Sequence, residues 1–353
     1  MEKHQELIFT NNVAEAVGRL VSDTDPAQLF VLVDVNTQYF VLPRLAEQSP
    51  AIKDAKVICI KSGDMNKDIE SLSSIWRALV EGGATRRAVM VNLGGGMVTD
   101  IGGFAASTFK RGIHFINIPT TLLGAVDAAV GGKTGINFMG LKNEVGVFNE
   151  ADAVVISTLF FSTLPVHELL SGYAEMLKHG LIDGPAIYHR LLDYDVTHAD
   201  NGRLLDLLRE SVEVKKRIVI EDPTEHGLRR ALNLGHTAGH AFESLSMKRS
   251  DRVPHGYAVA WGLVVELILS HLKEGFPSDE LHRFAAYVKQ HYGTFELSCD
   301  DYPTLLELMH HDKKNRGREI NFTLLRQVGD VVIDCTASEE EIKTALDIFR
   351  DLC

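Results

Sequence analysis

The chain has few cysteines, few aromatic residues, no long apolar run and a shortage of positive charge. Its four cysteines, Cys59, Cys299, Cys335 and Cys353, are scattered and form no CxxC pair. That excludes a disulfide framework and a thiolate zinc site, and it fits a reducing, cytoplasmic setting. Lys and Arg number 36 against 48 Asp and Glu, a formal net charge of −12. A general nucleic-acid binder needs basic surface to displace counterions, so that class is not expected. A small anionic ligand remains compatible, because basic clusters can sit locally in an acidic chain. The apolar stretch from Tyr257 to Val265 breaks at Glu266, well short of the ~20 residues that span a bilayer. The opening MEKHQELIFTNN has no apolar signal core. No membrane partner is therefore expected.

What is present is ample apolar residue, 45% of 353 positions. Disorder over most of the chain is excluded, and the length suggests two domains or one large one. The segments 29–35, 56–62, 88–93, 114–120 and 153–158 are short aliphatic runs. Continuous runs of this kind belong to parallel strands covered on both faces. Between them, Ile69–Gly82 has helical spacing and ends in glycine. Strand and helix in alternation predict a Rossmann-like α/β domain with a parallel sheet. After about Thr163 the pattern becomes helical, over 165–183, 185–194, 202–221, 231–247, 256–274 and 278–292, with strand texture returning at 319–333. The expected organisation is an α/β domain over 1–162 and a mostly α-helical domain over 163–353.

LGGGMVTDIGG (93–103) follows a predicted strand and opens a predicted helix. Glycines let backbone approach a pyrophosphate, whose charge the helix N-terminus attracts. The GxGxxG fingerprint fails, since Thr99 takes the third glycine's place. A tight strand-to-helix turn is the alternative. Asp34 and Asn36 close the 29–35 run, where a carboxylate can hold ribose hydroxyls or cap a helix. IPTTLLG (118–124) adds hydroxyls after another strand. Lys133 in VGGKTGIN and Lys142–Asn143 read as lysines presented from glycine-flanked loops.

Metal-competent groups concentrate in the helical half. SGYAEMLKHG (171–180) puts Glu175, Lys178 and His179 on one helix face. LNLGHTAGH (232–240) spaces His236 and His240 by four, and PHGYAVAWG (254–262) sets His255 before an apolar helix. One carboxylate and two or three imidazoles suffice for a catalytic divalent site with an open position. Spacing alone does not choose among the three histidines.

Taken in order, GGGMVTDIGGFAASTFKRGI, IPTTLLGAVDAAVGGKTGIN, LKNEVGVF, SGYAEMLKHGLI, DPTEHGLRRALNLGHTAGHAFE, PHGYAVAWG and DKKNRGREI span nearly the whole chain. Together they resemble the 3-dehydroquinate synthase family of sugar phosphate cyclases. The resemblance implies a nucleotide-binding α/β domain, a helical metal domain, NAD, and a divalent zinc or cobalt ion. It implies conversion of a phosphorylated sugar acid, 3-deoxy-D-arabino-heptulosonate 7-phosphate, to 3-dehydroquinate and phosphate on the route to aromatic amino acids. The steps implied are transient oxidation, β-elimination of phosphate, re-reduction, ring opening and aldol closure. A homodimer is a further family expectation. By motif, Glu175, His236 and His255 resemble the metal ligands, and His240 a site histidine. Asp127, Lys133, Lys142, Asn143, Lys178, Lys215, Glu225, Arg229 and Asn233 fall on substrate and catalytic positions. Arg111 resembles an arginine that reaches substrate, as does one of Lys313 and Lys314, with Lys314 carried forward. The NAD positions are Asp34, Asn36, Asp64, Lys67, Gly95, Gly96, Asp100, Thr120, Thr121, Lys133, Lys142 and Thr163. Asp64 departs from the Glu common in the family. Alternatives of the same architecture are another cyclase, such as a 2-deoxy-scyllo-inosose synthase, and a metal-dependent polyol dehydrogenase.

Overall fold

A computed structural model describes residues 5–139, 141–310 and 320–352. The chain divides into two compact units, 1–165 with 200–212, and 166–199 with 213–353. The first therefore ends three residues beyond the expected 162 and also takes in a later segment.

The first unit opens with β1 (Glu6–Phe9), α1 (Val13–Leu20), β2 (Leu29–Asp34), α2 (Val35–Phe40), α3 (Leu42–Gln48), α4 (Pro50–Asp54) and β3 (Lys56–Ile60). It continues through α5 (Ile69–Glu81), β4 (Val89–Gly94), α6 (Gly96–Thr108), β5 (His114–Pro119), β6 (Lys133–Phe138), β7 (Leu141–Phe148) and β8 (Ala153–Ile156). Six strands form a parallel sheet in the order β1-β8-β5-β4-β2-β3. Every residue of β2, β4 and β8 is buried, as unbroken aliphatic runs require when both faces are covered. All five expected strands are present. β1 was not expected, because its four residues follow a polar start and carry no run of their own.

The readings of Lys133 and Lys142 as loop lysines need correction. Both lie in an antiparallel hairpin, β6 paired with β7. Gly135 and Gly146 face each other across it, and a Cβ at Gly146 would lie 2.1 Å from the Thr134 carbonyl oxygen. The glycines that suggest loops are there because two strands approach closely.

In the second unit, α7 (Val166–Asp183) and α8 (Pro185–Leu192) precede α9 (Asn201–Glu221), whose first turns belong to the first unit. Then come α10 (His236–Lys248), α11 (His255–Glu274), α12 (Ser278–Tyr292), α13 (Tyr302–His310), the antiparallel pair β9 (Ile320–Gln327) and β10 (Asp330–Ala337), and α14 (Glu339–Leu352). Helix α11 is buried along nearly its full length, which explains its apolar sequence as a core helix. A bulge in β10 puts Asp334 in the left-handed region, φ 58°. There it accepts both hydrogen bonds of Arg230 Nη1, 2.8 and 2.7 Å. Helices α13 and α14 were not expected.

Candidate functional site

Two constellations stand out, one in each unit. In the first, the sheet order reverses between β2 and β4, and the carboxyl ends of strands at such a switch point are where α/β sheets take ligands. Asp34 ends β2, and Gly94–Gly95–Gly96 turns β4 into α6. Gly95 caps α6 without any side-chain acceptor, which leaves the helix start free of a capping side chain, as a helix N-terminus that takes an anion is. Thr121 packs on Gly95, where a Cβ would meet its Cγ2 at 3.0 Å, and its hydroxyl accepts from Gly124 N at 3.0 Å. Thr120 is buried, its amide donating to Gly94 O at 2.9 Å. Asp127 sits in the π-turn Gly124–Ala128, whose first residue abuts Gly96 N.

Asp34 proves to be a helix cap. Its Oδ1 accepts from Asn36 N and Thr37 N, each at 2.8 Å. Lys67 is the buried hub of this end. Its ammonium donates to Asp100 Oδ2 at 2.9 Å and to Asn143 Oδ1, with Asp64 Oδ1 at 3.7 Å. Asp64 also faces Lys142 at 3.7 Å. Asn137 ties the hairpin to the same loop by accepting from Asn143 N (3.0 Å) and donating to Asp64 O (2.9 Å). The structure thus brings together Asp64, Lys67, Asp100, Lys142 and Asn143, and separately Gly95, Gly96, Thr120, Thr121 and Asp127. Lys133 is exposed at the start of β6. Thr163 lies in the turn after β8 and donates to Phe160 O. Arg111 is not brought to the glycine turn. It follows the far end of α6, and a 13-residue helix at 1.5 Å per residue puts it about 20 Å away. It is held there with φ 68°, beside Lys110 at φ 51°.

In the second unit, Glu175 is fully buried on α7. His236 opens α10 and His255 opens α11. Both Nε2 atoms face Glu175 Oε1, at 3.5 and 3.3 Å, and the three candidate ligand atoms lie within 4.8 Å of one another. Lys178, one turn on from Glu175 and equally buried, pairs with Oε2. Leu234 O lies 3.1 Å from His236 Nδ1, and Glu243 Oε2 lies 3.4 Å from His255 Nδ1. Such partners on the second ring nitrogen fix which nitrogen faces the site.

Burial pushes the Glu175 carboxyl up, but the Lys178 ammonium and the His236 imidazole outweigh it and hold it well below the usual range. Burial, opposed by the Glu175 carboxylate, brings His236 down to about 4. Burial would also lower His255, yet the Glu175 and Glu243 carboxylates beside its two ring nitrogens raise it to about 10. The pocket therefore combines a carboxylate, a neutral imidazole and an imidazolium proton that a cation would displace. Neither Glu175 oxygen has a hydrogen bond of normal geometry, despite complete burial. A fully buried carboxylate that meets an ammonium through Oε2 and two imidazole nitrogens through Oε1, none in ordinary hydrogen-bond geometry, fits a divalent ion. His240 is exposed one turn along α10, its ring 5.3 Å from that of His236 and 6.1 Å from that of His255.

Cations collect in the same unit. Lys215 and Arg229 are buried, and Arg229 Nη1 donates to Pro223 O at 2.7 Å. Asn233 Nδ2 donates to Glu225 Oε1 at 3.0 Å, with Glu225 at φ 63°. Asp222 shapes this loop by accepting from the amides of His226, Gly227 and Arg229 at 3.0, 2.7 and 3.1 Å. Sequence reasoning missed Asp222 and Glu243. Asp222–Pro223 is a turn-initiating pair that could have pointed to the first. Nothing in spacing marks the second. Lys313 and Lys314 lie outside the described residues.

Sheet, switch-point turn and buried triad define a class: a dinucleotide-type α/β unit followed by a helical unit with a metal-type centre. Residues 57–171 match the model of the 3-dehydroquinate synthase N-terminal family and residues 172–315 that of its C-terminal counterpart. The chain belongs to the 3-dehydroquinate synthase family. It is 50% identical over 347 residues to the 3-dehydroquinate synthase of Parabacteroides distasonis, covering 98% of each chain. Among solved structures it is similar to ValA, a 2-epi-5-epi-valiolone synthase of Streptomyces hygroscopicus subsp. jinggangensis with NAD+ and Zn2+ bound. That match has a TM-score of 0.86 at 25% identity, over 99% of this chain and 98% of the other. A 2-deoxy-scyllo-inosose synthase shares the fold, with a TM-score of 0.85 at 22% identity over 98% and 96% of the two chains.

Proposed function

We propose that this chain is a 3-dehydroquinate synthase, converting 3-deoxy-D-arabino-heptulosonate 7-phosphate to 3-dehydroquinate and phosphate. The observation that carries the reading is the buried Glu175–His236–His255 triad, in a chain half identical to a synthase of that name along its whole length. The first unit would hold NAD, through the glycine turn Gly95–Gly96 at the start of α6 and the polar groups around Lys67. The triad would hold zinc or cobalt. When bound, NAD accepts and returns a hydride, and the metal serves as a Lewis acid toward the substrate's oxygens.

The chain's own groups do the rest. Lys178, Lys215 and Arg229 are cations held out of water, suited to binding phosphate and carboxylate and fixing a flexible sugar acid in one geometry. Asn233, oriented by Glu225, offers a positioned amide. His240 is exposed and can carry a proton to or from a reacting oxygen. Asp127, Lys133, Lys142 and Asn143 are assigned to substrate or cofactor contact by motif, and Arg111 and Lys314 likewise. Homodimerisation and a cytoplasmic location complete the reading.

Phosphate release measured with and without NAD and a chelator tests it. The zinc-loaded protein should release phosphate from the heptulosonate phosphate only with NAD present, and without net NADH. Net NADH from glycerol-like alcohols, or no phosphate release from metal-loaded protein, would overturn the assignment.

A further inference from the structure

Helix α10 begins with a deficit. Its N-cap is Gly235, in the left-handed region at φ 79°, and Gly235 supplies no side-chain acceptor. The first turn nevertheless lies in the core: Gly235, Thr237 and Ala238 are all buried. Buried amides at a helix start need acceptors. They are met from another helix. Glu266 on α11, 0% exposed, accepts from Gly235 N through Oε2 at 2.6 Å, and from Thr237 N and Ala238 N through Oε1 at 3.0 and 3.2 Å. Its negative charge sits where the helix dipole is positive.

The approach that permits this is built in. Gly262 lies one turn before Glu266 on the same face of α11, and a Cβ there would fall 2.1 Å from Gly235 O. Backbone meets backbone at that point, which brings the Glu266 carboxylate under the amides. The residue between the capped amides is His236. Its Nδ1 meets Leu234 O at 3.1 Å, and that carbonyl immediately precedes Gly235. Its Nε2 faces Glu175 Oε1. Wherever the turn 234–238 sits, the imidazole follows.

We propose that Glu266 is a positioning residue. It fixes the first turn of α10 and thereby aims His236 at the metal-type centre. The proposal rests on the metal reading above. Chelator competition with zinc separates the two, because it reads affinity without turnover. The variants are Glu266→Gln, which turns an amide NH2 toward one of the helix amides, and Ser270→Ala. Ser270 is a control on α11: its hydroxyl accepts from Leu325 N at 3.0 Å and donates to Glu266 O at 2.6 Å, so its loss also costs buried hydrogen bonds. Zinc affinity should fall roughly tenfold to a hundredfold in Glu266→Gln, the range for outer partners of metal ligands, and stay unchanged in Ser270→Ala. At saturating zinc, Glu266→Gln should lower kcat more than it raises KM. Wild-type zinc affinity in Glu266→Gln, with only the melting temperature reduced, overturns the inference and leaves the metal reading standing. A wild-type protein that binds no zinc overturns both. Should Glu266→Gln not fold, Glu266→Asp keeps the charge, withdraws it by one methylene and is held to the same outcomes.

Discussion

Replacing Glu175 by Ala should abolish bound zinc and cyclase activity together, and should also destabilise the metal-free protein. The two effects have different origins. Activity should fall by more than about a hundredfold, since loss of an outer partner alone reaches that size and Glu175 is an inner group. The stability loss comes from Lys178. It is 1% exposed and paired with Glu175, so removing the carboxylate strands an ammonium in the core. Breaking a buried pair on one side costs about 3–5 kcal/mol, which exceeds the roughly 0.8 kcal/mol that the one truncated methylene contributes by transfer. The double variant Glu175→Ala, Lys178→Met separates the effects. Its denaturation midpoint should recover most of the loss, while zinc content and phosphate release stay absent. Zinc retained in Glu175→Ala would show that the triad does not hold the metal. A double variant no more stable than the single would show that the stranded charge is not the cause.

The second large effect is expected at Gly256. An added Cβ would lie 1.9 Å from Ser171 O and 2.5 Å from both Ser171 C and Cα. All three are backbone atoms of α7, so no side chain can swing aside. The Gly256 amide also donates to Ser171 Oγ at 3.0 Å, which pins the contact from the other side. Gly256→Ala must therefore push the start of α11 off α7, and His255 is the residue before it. Overpacking of this kind costs roughly 1–3 kcal/mol or more. The variant should melt well below wild type and lose zinc affinity in whatever fraction folds. Gly18→Ala is the contrast. Gly18 lies in α1 with no atom within 4 Å of an added Cβ, so helix propensity should stabilise the protein by about 0.5–1 kcal/mol. Wild-type melting and zinc binding in Gly256→Ala would refute the close-contact argument.

Much of this was legible beforehand, and the reasons are local. Aliphatic runs that are buried on both faces declare themselves, so the central strands were read to within a residue or two. Glu175, His236, His240 and His255 stood out as metal-competent groups in glycine-flanked helical segments, and the family resemblance, not spacing, singled out Glu175, His236 and His255 among them. What stayed hidden depends on partners distant in sequence. The hairpin 133–148 looks like loop because its glycines serve another strand's backbone. Asp222 and Glu243 gain meaning only from what folds onto them. The placement of Arg111 follows from the direction of α6, which no motif encodes.

The pairing of β1 with β8 has a consequence for how the chain is made. Glu6 lies beside Ala153, and the first compact unit also needs residues 200–212. Its first strand must wait on the ribosome while some 150 residues follow, and its last segment emerges after α7 and α8 have already left the exit tunnel. Such distant pairing slows closure of a parallel sheet and leaves apolar edges open meanwhile. A nascent chain of this design has reason to meet a chaperone, and a gene fragment cut at the end of β8 would encode all six strands of the sheet without the start of α9 that clusters with them.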